Sequence, residues 1–109
     1  MPRYLIQFNY TQKSMKALVD RPHDRTEAAQ RSIEGFGGRM MFFAYCFGEY
    51  DGAVVAEFPN HEAAMASLLA LNAAGALTRT VTTLLISPEE AVKAMQKAHD
   101  TKTGYTPPG

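Results

Sequence analysis

Two carboxylates in this chain stand in stretches otherwise rich in apolar side chains, and both are suited to proton chemistry. Glu57 ends the run Ala53-Val54-Val55-Ala56. A carboxylate buried in such a strand must be paired, or its pKa climbs until the group is neutral. Arg79 is the partner that the order of the strands suggests, and the pair would then be structural. Left unpaired in an apolar surrounding, Glu57 would be tuned for proton transfer. Asp51 closes the segment Gly48-Glu49-Tyr50-Asp51. An aspartate in that setting bonds nearby backbone N–H groups and holds a turn. In its functional reading Asp51 joins the Tyr50 hydroxyl as the polar rim of a pocket, in an acid or hydrogen-bonding role. Asn9 and Tyr10 end the first apolar run and complete the candidate set: Asn9, Tyr10, Tyr50, Asp51, Glu57 and Arg79, taken as ligand-binding residues.

The remaining reactive side chains do not assemble. His23, His61 and His99 are spread over a loop, a helix start and a final helix. No two share the four-residue spacing of a helical metal pair, and no cysteine cluster accompanies them. No metal and no cofactor is expected. Cys46, the single cysteine, falls within an apolar run, where a thiol is inert packing. Gly35-Phe36-Gly37-Gly38 is glycine-rich but ends a helix and precedes a strand, the wrong order for a phosphate at a helix N-terminus.

Composition narrows the class further. The chain has 109 residues, 46% of them hydrophobic, with 11 basic and 11 acidic side chains. Length allows a single domain, and the apolar fraction is too high for a disordered chain. A balanced charge lacks the basic excess with which proteins displace counterions from nucleic acids. The longest apolar run, Met40 to Phe47, is 8 residues, far short of the ~18 of a membrane span. With no apolar leader at the start and one cysteine, a cytoplasmic location is expected.

The elements that must position the candidates follow from periodicity. Tyr4 to Tyr10 alternates as a first strand. Met15, Leu18 and Val19 mark a short helix that Asp20-Arg21-Pro22 interrupts. A second helical segment starts near Asp24, shows the stripe Ala29, Ile33 and Phe36, and stops at Gly37-Gly38. Met40 to Phe47 and Gly52 to Phe58 form a hairpin about a turn-rich linker. Asn60 caps a helix that runs to about Ala74, and Thr78 to Ile86 is the fourth strand. Ser87-Pro88-Glu89-Glu90 is a capping box that opens a last helix carrying Val92, Met95 and His99 on one face. The domain occupies residues 1–100, and 101–109 form a tail without periodicity. The order β, α, β, β, α, β is a split βαβ repeat: an α+β, ferredoxin-like sheet of four antiparallel strands with an extra C-terminal helix.

These strands are apolar on both faces, although helices can cover only one. Met40, Phe42, Ala44 and Cys46 alternate with Met41, Phe43, Tyr45 and Phe47, so parity divides eight large or apolar side chains between the two sides. The uncovered side would expose several hundred Å² of apolar surface, rare on a monomer. A second copy packed about a two-fold axis is the simplest cover, and it makes a dimeric α/β barrel.

At the hairpin the chain resembles a known family. Phe47-Gly48-Glu49-Tyr50-Asp51, continued by Val54-Val55-Ala56-Glu57-Phe58-Pro59, is similar to the signature of the GYD-domain proteins. Asn9-Tyr10-Thr11-Gln12, Gly37-Gly38 and Thr78-Arg79-Thr80 extend the likeness over roughly residues 3 to 95. The resemblance implies a ferredoxin-like domain of the dimeric α/β-barrel kind and no particular activity. Other proteins with that barrel include cofactor-independent monooxygenases, haem-degrading enzymes and stress-response proteins, so a haem ligand from His61 is one reading of that residue; a surface histidine is the other. This chain departs from the family pattern in Met40-Met41-Phe42-Phe43 and in Val81, where an acidic residue is common. Two functions are therefore expected. The first is a homodimeric domain that binds a small apolar or aromatic molecule without catalysis. The second is a small cofactor-independent enzyme, monooxygenase- or isomerase-like, acting on such a molecule in the barrel.

Overall fold

The computed structural model describes all 109 residues. Strands β1 (Arg3–Tyr10), β2 (Arg39–Tyr45), β3 (Gly52–Glu57) and β4 (Leu77–Leu85) form one sheet in the order β2-β3-β1-β4, every neighbour antiparallel. Helices α1 (Gln12–Asp20) and α2 (Thr26–Gly35) connect β1 to β2, α3 (His61–Ala73) connects β3 to β4, and α4 (Pro88–Asp100) follows the sheet. This is the expected ferredoxin-like topology, with the first crossover built from two helices. Residues 101–109 contain no helix or strand.

Helix starts follow the capping chemistry of the sequence. The Asn60 Oδ1 accepts from the Ala63 N–H at 2.8 Å, and the Ser87 Oγ from the Glu90 N–H at 3.1 Å. Before α2 the Asp24 carboxylate accepts from the Thr26 N–H at 2.9 Å, and those hydrogen bonds to Thr26 lower its pKa. Thr11, a cap without a signal as clear, accepts from the Ser14 N–H at 3.0 Å. Gly37 ends α2 with φ +78°, where its N–H reaches the Glu34 carbonyl at 2.9 Å.

The core lies on one side of the sheet. Tyr4, Ile6 and Phe8 of β1 and Val54, Ala56 and Phe58 along β3 are buried with Ile33 of α2 and Ala64 of α3. Because side chains alternate, Leu5, Gln7 and Asn9 of β1 and Ala53, Val55 and Glu57 of β3 occupy the opposite, open face. On β2 the strict alternation expected from the sequence fails. A bulge between Met40 and Phe42 shifts the register, so that Met40 and Phe43, of opposite parity, both pack against the core. The same strand ends at Tyr45, two residues early. Cys46 is exposed rather than buried packing, and Phe47 is fully exposed beside it.

The last helix stands apart from the sheet. Val92 and Met95 are 60% and 65% exposed, although they share the apolar face of α4. The chain's radius of gyration of 17.8 Å exceeds the ~13 Å of a compact domain of this length because α4 and the tail project. No helix is long and apolar enough to cross a membrane.

Candidate functional site

The six candidate residues do not converge on one point; the sheet distributes them between two ends and two faces. At the hairpin end, Asp51 is bonded to backbone. Its Oδ2 accepts from the Tyr10 N–H at 2.9 Å, its own N–H donates to the Phe8 carbonyl at 2.9 Å, and its carbonyl accepts from the Cys46 N–H at 2.8 Å. The β1–β4 register shifts between Asn9 and Tyr10, and there the Asp51 carboxylate satisfies the Tyr10 N–H. Asp51 is thus a clamp between the β2–β3 loop and the end of β1. The Asn9 amide donates to the Glu49 carbonyl at 3.0 Å, Arg79 pairs with Glu49 at 3.2 Å, and the Arg79 guanidinium lies 5.0 Å from the centre of the Tyr50 ring.

Glu57 sits at the other end of the sheet. It is bonded to Arg3 at 2.9 Å and to Arg39 at 2.8 Å, and only 12% of its side chain is exposed. The expected pairing of Glu57 with Arg79 is therefore corrected. In the register of β1, Arg3 stands opposite Glu57 and Asn9 opposite Arg79, a separation of roughly 20 Å at 3.3 Å per residue. Hydrogen bonds from Arg3 and Arg39 hold the Glu57 carboxyl below the usual carboxylate range. A carboxylate so held is a weak proton acceptor.

The histidines stay apart. His23 bonds the Arg21 carbonyl at 2.7 Å through Nδ1, His61 meets the Tyr4 hydroxyl, and no group of acidic, histidine or cysteine side chains is arranged to hold a metal ion.

A concave site does exist, on the helix-covered face. A cavity of about 210 Å³ opens between the sheet and α2, with Leu71 of α3 and Ala76 closing one side. Its sheet wall is aromatic: Phe8 meets the Tyr10 ring edge-on at 5.3 Å and the tilted Phe43 ring at 6.3 Å, and Phe43 meets Tyr45 edge-on at 5.1 Å. Gly52 stands between Phe8 and Tyr45 in the register, where any side chain would collide with the Phe8 ring. The opposite wall is α2, which presents only Ala28, Ala29 and Ser32 beside Ile33. Short side chains facing long rings leave the gap.

Polar groups gather at its lip. Arg25, immediately before α2, lines the cavity, and its guanidinium takes part in no ion pair or hydrogen bond. Its backbone N–H donates to the Tyr45 hydroxyl at 2.8 Å. Tyr10, the candidate that faces this side, is half-buried. Burial pushes its phenol pKa up, Tyr45 and Asp51 add to the rise, and Arg25 pulls against it. Of the six candidates, Tyr10 alone lines the cavity; Arg25, Ser32 and Phe43 were not among them. The available signal was the run of small residues on α2, which reads as an ordinary helix stripe until the aromatic strands opposite are known.

Strand order, open apolar face and aromatic cavity together define a ferredoxin-like α+β domain with a pocket under its first crossover. The GYD domain family profile matches residues 4–95, and the chain belongs to that family. No curated protein matches it. Among solved structures it is similar to the crystal structure of FFRP-DM1, at 15% identity and a TM-score of 0.48, over 79% of this chain and 100% of the other.

Proposed function

We propose that this protein is a homodimeric GYD domain that binds a small apolar or aromatic molecule without transforming it. The observation that carries the reading is the cavity under α2. Its walls are almost all carbon, and of the carboxylates, histidines and cysteine in the chain none lines it. Pockets of this make-up, apolar with a few polar groups at the edge, are the usual form of small-molecule sites. The two carboxylates that could have served an enzyme are committed elsewhere, Asp51 to a backbone N–H and Glu57 to two arginines. That favours binding over the cofactor-independent enzyme.

The homodimer is supported by the open face. Phe42, Val55 and Leu5 share a row across its middle, with Ala44, Ala53 and Val81 in the row beside them, Phe42 being 56% exposed. Arg3, Glu57 and Arg39 edge it at one end and Arg79 with Glu49 at the other. An apolar centre with a charged rim is the anatomy of an interface. The ligand reading is tested by thermal unfolding of the purified protein against a panel of aromatic and quinone-like compounds. A concentration-dependent rise in Tm is expected for members that fit the cavity. A panel that leaves Tm unchanged at millimolar concentration contradicts the reading.

A further inference from the structure

The cavity's polar groups carry information about which apolar molecule would enter. A cavity of about 150 Å³ accepts a benzene ring, so the 210 Å³ here has room for a larger body, such as fused rings or a short acyl chain. Most of the lining is apolar, with Ile6, Phe8, Phe43, Val54 and Leu77 on the sheet side. Ser32 is the one hydroxyl on the α2 wall. At the lip the balance changes. Arg25 brings a full positive charge that no group of the protein neutralises, and the Tyr10 hydroxyl donates to no partner.

The nearby acidic groups are already engaged. Asp24 accepts from both the N–H and the hydroxyl of Thr26, at 2.9 and 2.6 Å. Asp51 is turned to the Tyr10 backbone. What remains free is a guanidinium and a phenol, both donors, above an apolar hole. A planar guanidinium matches a carboxylate with two parallel hydrogen bonds, and a phenol O–H can add a third.

We propose that the cavity under α2 is a site for an organic carboxylate with a compact apolar body, one per protomer, seated with its rings or chain against Phe8 and Phe43 and its anionic end on Arg25 and Tyr10. The assignment rests on the binding function proposed above and adds the charge of the ligand and its place within a single protomer. It also explains the small residues of α2: a leucine at Ala29 would pack the core better and close the site.

Calorimetric titration of the full chain with 2-naphthoate and with neutral 2-naphthamide tests this. The acid is expected to bind once per chain and about tenfold more tightly than the amide at low salt, as charge-assisted hydrogen bonds require. Arg25→Gln should remove most of the acid's advantage over the amide. Ala29→Leu should abolish both while raising Tm, and Ser32→Leu, filling the same wall, gives the second reading if the first variant does not fold. Equal binding of acid and amide, or no response to Arg25→Gln, overturns the carboxylate while the binding function stands. Acid binding that survives both filling variants places the site elsewhere and overturns the cavity. Failure of both probes to bind overturns the inference; Tm shifts with other compounds of the panel would then keep the binding function alone.

Discussion

On the helix-covered face of the sheet, Tyr4, Ile6, Phe8, Val54 and Ala56 are 6% exposed or less, whereas Phe42 and Leu85 on the open face are 56% and 38% exposed. The side chains are of similar character, and the difference is what lies over them. Helices α2 and α3 cover the first face but approach it with alanine and serine, so an aromatic cavity survives beneath α2. Nothing in the chain covers the second, and its charged pairs lie at the rim rather than in the middle. The comparison separates two ways of being apolar. One face holds a concave space open at one side, suited to a small molecule; the other is broad and rimmed by charge, suited to another protein surface.

Charging the open face should break this division most visibly. Phe42→Glu places a carboxylate in the middle of the proposed interface, where an unpaired buried charge costs several kcal/mol. Sedimentation at micromolar concentration should then fall from about twice the 12.0 kDa chain mass to the mass of one chain. An unchanged mass would show that this face does not pair.

A smaller loss is expected at the hairpin. Asp51→Ala leaves the Tyr10 N–H without its partner, a penalty of about 1–3 kcal/mol, read as a lower midpoint in urea. Asp51→Asn retains an acceptor oxygen and should recover part of it. Equal stability of Asp51→Ala and the parent would show that the clamp is not what the carboxylate does.

At the other end Glu57 predicts a pH dependence. Its folded-state pKa is lowered by Arg3 and Arg39, so its contribution to stability is complete above the unfolded carboxylate value of about 4.3 and disappears as pH falls through the lower folded value. Glu57→Gln should melt below the parent at neutral pH, and the gap should close in acid. A gap that widens in acid would reverse the sign and the ion-pair reading with it.

The smallest effect belongs to the helix-covered face. The Tyr10 phenol is raised from its ordinary value, so the stability linked to it is present below that value and declines as pH rises through the raised one. Tyr10→Phe should remove a high-pH step from the absorbance titration of the protein. A high-pH step that survives Tyr10→Phe would contradict the burial of Tyr10 in the lip.

Much of the fold was legible in the sequence because its signals are local. Alternation in β1, the Asn60 and Ser87 caps and the glycines after α2 fix elements without reference to distant residues. The bulge in β2 was not legible, because Met40-Met41-Phe42-Phe43 is apolar at every position and no alternation marks a shift. That is also why Cys46 was expected inside the strand. The structural readings of Asp51 and Glu57 were visible as alternatives, but the partner of Glu57 was not, since register between strands decides it. The cavity was least legible of all. It arises from what α2 lacks opposite Phe8 and Phe43, and absent volume leaves no motif.

Methyl NMR of the protein titrated with 2-naphthoate tests the separation of the two faces directly. Shifts are predicted at Ile6, Ile33, Val54 and Leu77, which line the cavity, with none at Leu5, Val55, Val81 and Leu85 on the open face. Shifts confined to Leu5, Val55, Val81 and Leu85 would place the ligand on the open face and contradict the account.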